Sequence, residues 1–151
     1  MIRELKLNEI KEAASLIMAV YNESEYLNDT KRGRLAFKEI YCNSEHLAKM
    51  VSNSELEMFG YFIDDKLCGV ISLDSNATIM HLFVDMSYNK RGIAHSLLDY
   101  VFLLASKRGI KILYLDSSKY ALDFYLRRGF KKREDEKCED GMVYTPMYYE
   151  L

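Results

Sequence analysis

Ile10, Ala13, Ala14, Ile17 and Tyr21 recur at intervals of three and four residues, the spacing that places side chains on one face of a helix. Before them, IRELKL alternates as a short strand does, and Asn8 offers a side-chain oxygen to cap the helix. A second helix is expected to start at Asp29 or Thr30 and to carry Leu35, Phe37, Ile40 and Tyr41. A third follows Ser44, through Leu47, Met50 and Val51. From Glu57 the pattern changes to three β-rich runs, MFGYFI, LCGVISL and TIMHLFV, separated by the turn-forming clusters DDK and DSNA, which read as an antiparallel meander.

The segment SYNKRGIA then leads into a helix with Ile93, Leu97, Leu98, Val101 and Ala105 inward, ended by Gly109, and the apolar run IKILYL reads as a buried strand. Strand, helix and strand in such close succession form a βαβ crossover, so these two strands should be parallel neighbours with a right-handed connection. The turn from Ser87 to Ala94 then lies at the carboxyl end of the sheet. Lys119 to Arg128 forms a short helix closed by Gly129, and FKKR and MVYTPMYYEL pair as a hairpin around the acidic loop EDEKCEDG. The expected architecture is α/β: a mixed, twisted sheet of about seven strands with helices on both faces.

Composition narrows the function classes. The 151 residues fit one domain, 1–151, and 49% hydrophobic with 29% charged residues is the balance of a folded globular chain. A net charge of −2 argues against broad nucleic-acid binding, which needs a basic face. No apolar run is long enough for a membrane helix, and MIRELKLNEI lacks the apolar core of a signal peptide, so a cytoplasmic protein is expected. Cys42, Cys68 and Cys138 are odd in number and form no CxxC pair, which suggests neither a disulfide framework nor a metal site.

The stretch VDMSYNKRGIAHSLL carries the chemistry. A turn runs directly into a helix N-terminus, where unpaired N–H groups and the helix dipole favour an anion such as pyrophosphate. Gly92 lets the backbone approach a phosphate, Ala94 keeps the first helical turn open, and Lys90 and Arg91 add positive charge. Taken alone, such a glycine turn also fits an ordinary helix start.

The order Val84 and then NKRGIA resembles the acetyl-CoA-binding motif of the GNAT acetyltransferase superfamily, Q/R-x-x-G-x-G/A, with Asn89 where Gln or Arg is usual. A second stretch, LDSSKYALDFYLRRGF, is similar to that family's next block. There a strand ends in V-N, a short helix carries A-x-x-F-Y and G-F closes it, and the matching positions are Asp116, Ala121, Phe124, Tyr125, Gly129 and Phe130. Asp116 replaces the usual Asn, leaving Ser117 or Ser118 to meet the pantetheine arm. The resemblance covers roughly residues 57–149.

What the resemblance implies is an N-acetyltransferase that moves an acetyl group from acetyl-CoA to a primary amine in a direct ternary complex, without a metal. Leu82 N–H would polarise the acetyl carbonyl, and the Phe83 and Val84 backbone would hold the pantetheine. Asn89 to Ala94, Ile93 included, would cradle the pyrophosphate, with Asp116, Ser118 and Phe124 completing the cofactor groove. Tyr125 matches the tyrosine that faces the sulfur. With a phenol reference near 10 and a thiol near 8.5, it stabilises the departing thiolate more readily than it protonates it outright. A homodimer accords with the family's habit.

The general base is open at this level. Strand positions that hold Glu or His in many relatives hold Thr78 and Met80 here, and His81 is the titratable side chain of that strand. Alternation turns His81 to the face opposite Thr78, Met80 and Leu82, so a packed, hydrogen-bonded histidine competes with a base. Tyr21, Glu25, Tyr26 and Tyr144 are candidates for the acceptor side. The acidic loop reads either as an attractor of cationic amines or as a solvated hairpin tip. Two rival readings stand beside the enzyme: a non-catalytic acyl-CoA-binding or regulatory domain, and an unrelated mononucleotide-binding domain.

Overall fold

The computed structural model describes all residues, 1–151. Strand β1 (Ile2–Glu4) leads into α1 (Ile10–Ser24), α2 (Lys31–Tyr41) and α3 (Ser44–Ser52). The meander β2 (Leu56–Ile63), β3 (Lys66–Asp74) and β4 (Ile79–Val84) follows, then α4 (Ile93–Lys107), β5 (Ile112–Ser117) and α5 (Leu122–Arg127). The chain ends in β6 (Lys131–Lys132), β7 (Lys137–Glu139) and β8 (Met142–Glu150). The eighth strand arises because the acidic loop is not wholly irregular: Lys137 to Glu139 pairs with Tyr144 to Met142 as β7.

The strands form two antiparallel sheets, β1-β2-β3-β4 and β5-β8-β6, with β7 also on β8. The parallel neighbours expected from the crossover meet at one bridge, Thr78 with Tyr114, where Tyr114 N–H donates to the Ala77 carbonyl over 2.9 Å. Beyond it β4 and β5 diverge.

Apolar patterning accounts for the layers. Ile10, Ala13, Ala14, Ile17, Val20 and Tyr21 of α1 are buried with Phe37 and Leu47 of the next two helices against one side of the first sheet. All five inward positions expected on α4 are buried against the other side, together with Leu113, Leu115, Tyr125 and Phe130. Each of these two clusters holds 15 buried residues, so the first sheet is sandwiched rather than faced with water on one side. No helix is long and apolar enough to cross a membrane.

Two details of capping differ from expectation. Asn8 lies in a short 3-10 turn and caps nothing. The side chain that satisfies an amide there is Glu9, which accepts from Lys6 N–H over 2.8 Å and pairs with Arg3. Thr30 does cap α2, accepting from Gly33 N–H over 3.1 Å.

Helix α2 is fastened to the last hairpin. The Gly141 carbonyl accepts from Thr30 N–H over 3.0 Å, and a Cβ placed on Gly33 would lie 2.1 Å from that same oxygen. Only hydrogen on that Cα lets the backbones approach so closely.

Candidate active site

Between β4 and β5 the facing sheet edges are open. β4 pairs only with β3, and β5 pairs only with β8, apart from the single bridge at Thr78. Each strand therefore presents backbone N–H and C=O groups with no strand partner, a row of donors and acceptors able to hold an extended ligand. Leu82, Phe83 and Val84 lie on this stretch of β4, and Leu82 and Phe83 reach the cavity below it.

At the carboxyl end of β4, Asp85 accepts from Ser87 N–H over 2.9 Å and Met86–Tyr88 forms one 3-10 turn. Lys90 and Gly92 then take left-handed conformations, φ 64° and 78°. Gly92 is the N-cap of α4 and has nothing within 4 Å of where a Cβ would stand. Its role is conformational, and the space above it is open. The first amides of α4, at Ile93 and Ala94, have no partner within the helix.

Lys90 and Arg91 are exposed beside it, Arg91 lying 5.2 Å from the Tyr88 ring, whereas the Ile93 side chain is buried and has only its backbone to offer. Asn89 does not cap α4: it closes the 3-10 turn, and its amide donates to Met86 Sδ over 3.2 Å.

On the other side of the opening lies a cavity of about 440 Å³. It is floored by β4 and β5 and roofed by the end of α1, by α2 and by the last hairpin, with Glu25, Tyr41, Asp116, Ser118, Tyr125 and Tyr144 in its wall. Tyr125 is buried, on the short helix held between two turns by the Gly129 bend. Burial pushes its phenol well above the usual range, and the nearby charge of Glu25 adds to this, so the hydroxyl stays protonated and able to donate.

Glu25 is half-buried where α1 ends. Desolvation lifts its carboxyl to about 7; a hydrogen bond from Ser118 acts against the shift, and the charge of Asp29 acts with it. Asp116 is also raised, first by desolvation, while Arg133 pulls it back. Tyr41 is raised to about 12, chiefly by burial. Phe124 stands outside this cavity, on the α4 side, with its ring 4.9 Å from His95 and 5.4 Å from Tyr125.

His81 is in the core, 1% exposed, and does not line the cavity. Its Nε2–H donates to the Tyr41 carbonyl over 3.0 Å, which fixes Nδ1 as the acceptor of the Ser72 hydroxyl at 2.6 Å. Desolvation lowers its pKa to about 4. The simple alternation expected along this strand does not hold. Ile71 pairs with Leu82 and Leu73 with Ile79, so Met80 and His81 together oppose Ser72 as a β-bulge.

The bulge puts His81 on the same side as Met80, against Tyr41 and Phe83, while Leu82 packs towards α4. Among the acceptor-side candidates, Glu25 and Tyr144 line the cavity. Tyr21 is buried behind it on Asp29, at 2.5 Å, and Tyr26 stacks under Arg34.

Part of the acidic loop is a solvated tip. Glu134 and Glu136 pair with Lys137 and Lys119, but Glu139 and Asp140 reach the cavity wall. Tyr41, Asp29 and Asp74 are cavity residues that spacing alone did not single out, because they come from three separate elements. No group of three or more His, Cys, Asp or Glu side chains is placed to hold a metal ion.

Residues 17–151 match the family model described as an acetyltransferase (GNAT) domain. An alignment 86 positions long, covering 52% of this chain, is 31% identical to streptothricin acetyltransferase of Escherichia coli; the match spans 49% of that protein's length. Among solved structures, a GCN5-related N-acetyltransferase from Rhodopseudomonas palustris superposes with a TM-score of 0.84 at 22% identity, over 100% of this chain and 95% of that one. The PaiA N-acetyltransferase of Thermoplasma acidophilum, solved with coenzyme A, does so at 0.81 and 22%, over 100% and 98%.

Proposed function

The chain belongs to the GNAT acetyltransferase family, and from that premise we propose that it transfers the acetyl group of acetyl-CoA to the nitrogen of a primary amine. The observation that carries this reading is that the open edge of β4 leads from the turn at Gly92 to a cavity lined by both Tyr125 and Glu25. The coenzyme fits this arrangement. Free amides at the start of α4 and the open space above Gly92 suit a pyrophosphate. The edge-facing backbone groups of Leu82 and Val84 suit the pantetheine amides, and Ser118 stands along the same opening.

The thioester supplies an activated carbonyl carbon with a good leaving group. Glu25, with its carboxyl near pH 7, takes one proton from the incoming ammonium and later returns it to solvent. The freed nitrogen bonds to the carbonyl carbon, the Leu82 N–H polarises the carbonyl oxygen, and the carbon–sulfur bond breaks. The second nitrogen proton passes to sulfur, so the products are an N-acetyl amide and the free CoA thiol. Tyr125, held neutral by burial, donates a hydrogen bond to the departing sulfur without giving up its proton. His81, neutral and occupied by Ser72 and the Tyr41 carbonyl, acts as packing.

Thiol release from acetyl-CoA, followed over a panel of primary amines, is the direct test. Tyr125→Phe should lower kcat about a hundredfold with little change in the KM of acetyl-CoA, as loss of a donor used at the transition state does. Equal rates for Tyr125→Phe and the parent would remove Tyr125 from the mechanism. Binding of acetyl-CoA with no release for any amine would favour a non-catalytic domain.

A further inference from the structure

The acceptor cavity contains no Lys, Arg or His side chain in its wall, while six carboxylates reach it. Four of them are already occupied. Asp29 accepts from the Tyr21 hydroxyl and Val143 N–H, and Asp74 accepts from the amides of Asn76 and Thr78. Asp140 pairs with Arg32, and Glu139 with Lys137. Glu25, which takes one hydrogen bond from Ser118, and Asp116 remain, and neither takes part in any of the chain's ion pairs. They stand on separate elements, Glu25 after α1 and Asp116 near the end of β5, with the cavity and the Tyr41 ring between them.

Building on the acetyl-transfer reading, we infer that the acceptor is a dication: an aliphatic amine with a second, permanently charged ammonium that is held by Asp116 while the first reacts beside Glu25.

The two carboxylates have different fates in the reaction. Glu25 takes a proton and becomes neutral in the step it catalyses, so it asks for no lasting counter-charge. Asp116 is exposed where it lines the cavity and is paired with no cation of the chain, Arg133 and Lys137 acting on it only at a distance and opposed by Glu139 and Glu134. A carboxylate without a partner there can pair with a cation that arrives with the ligand. The walls between the two sites, Phe37, Tyr41 and Met50 among them, offer apolar and aromatic surface to a methylene chain and ring faces to an ammonium.

The test compares diaminobutane with butylamine in the thiol-release assay, each rate referred to the free-amine fraction, for the parent, Asp116→Asn and Asp116→Glu. The expected result is a kcat/KM for the diamine about tenfold or more above that for the monoamine. Asp116→Asn should lose the diamine's advantage and Asp116→Glu should recover part of it, the acetyl-CoA KM being measured in each to separate cofactor effects. Equal use of both amines, or a diamine preference that survives Asp116→Asn, overturns the inference and leaves acetyl transfer standing. No thiol release with either amine from protein that binds acetyl-CoA overturns both.

Discussion

Glu25 and His81 are displaced by the same force in opposite directions. Burial penalises charge, so the carboxyl rises to about 7 and the imidazole falls to about 4. On the proposed mechanism Glu25 is then the base and His81 a packing residue. The kcat/KM profile should fall on the acid side with an apparent pKa near 7. Glu25→Gln should abolish that limb and lower the neutral rate by about a hundredfold or more. His81→Gln should keep the limb, since the ring has no route to the cavity; a limb lost with His81 and kept without Glu25 would exchange their roles.

For stability the signs are opposite. Between its ordinary 4.5 and about 7, folded Glu25 holds more proton than the unfolded chain does, so its contribution to stability falls as pH rises through that window. Between about 4 and its ordinary 6.5, folded His81 holds less, so its contribution rises with pH. Where the windows overlap the two offset each other. Urea melts between pH 4.5 and 6.5 should therefore show stability rising with pH in Glu25→Gln and falling in His81→Gln. Parallel slopes in the two variants would contradict this account.

Among the elements, the pairing of α2 with the last hairpin decides the shape of the acceptor cavity. Gly33→Ala would drive a methyl group into the Gly141 backbone, 2.1 Å away. It should cost about 1 to 3 kcal/mol in a denaturant melt and raise the KM of the amine more than that of acetyl-CoA, because α4 and its turn lie elsewhere. A change confined to the acetyl-CoA KM would mean that α2 does not shape the acceptor side.

Elements whose evidence is local were legible in the sequence. Ile93, Leu97, Leu98, Val101 and Ala105 marked α4 by spacing, and Thr30, which caps α2, was one of the two starts expected for it. The bulge at Met80 and His81 was not legible, because it depends on register with Ser72 rather than on anything in TIMHLFV. The divergence of β4 from β5 after Thr78 is likewise a property of pairing, invisible to hydrophobic pattern. The cavity was legible only as separate residues: Glu25 and Tyr144 stood out as polar candidates, but what raises the Glu25 carboxyl is enclosure by parts of the chain far apart in sequence.

Across the whole molecule, two antiparallel sheets share one parallel bridge, and the gap they leave divides the labour. On the α4 side stand the amides at Gly92, Ile93 and Ala94 and the basic residues Lys90 and Arg91; on the other, six carboxylates reach a cavity that no Lys, Arg or His lines. An anionic coenzyme and a cationic acceptor would thus approach from opposite faces and meet at Tyr125, which accords with direct transfer.

Acetyl-CoA carrying an isotope label in its acetyl group, incubated with the protein and a primary amine, tests this most directly. Mass spectrometry should find the label on the amine nitrogen in amounts equal to the CoA thiol released. Thiol released without labelled amine, or coenzyme bound with neither product formed, would contradict it.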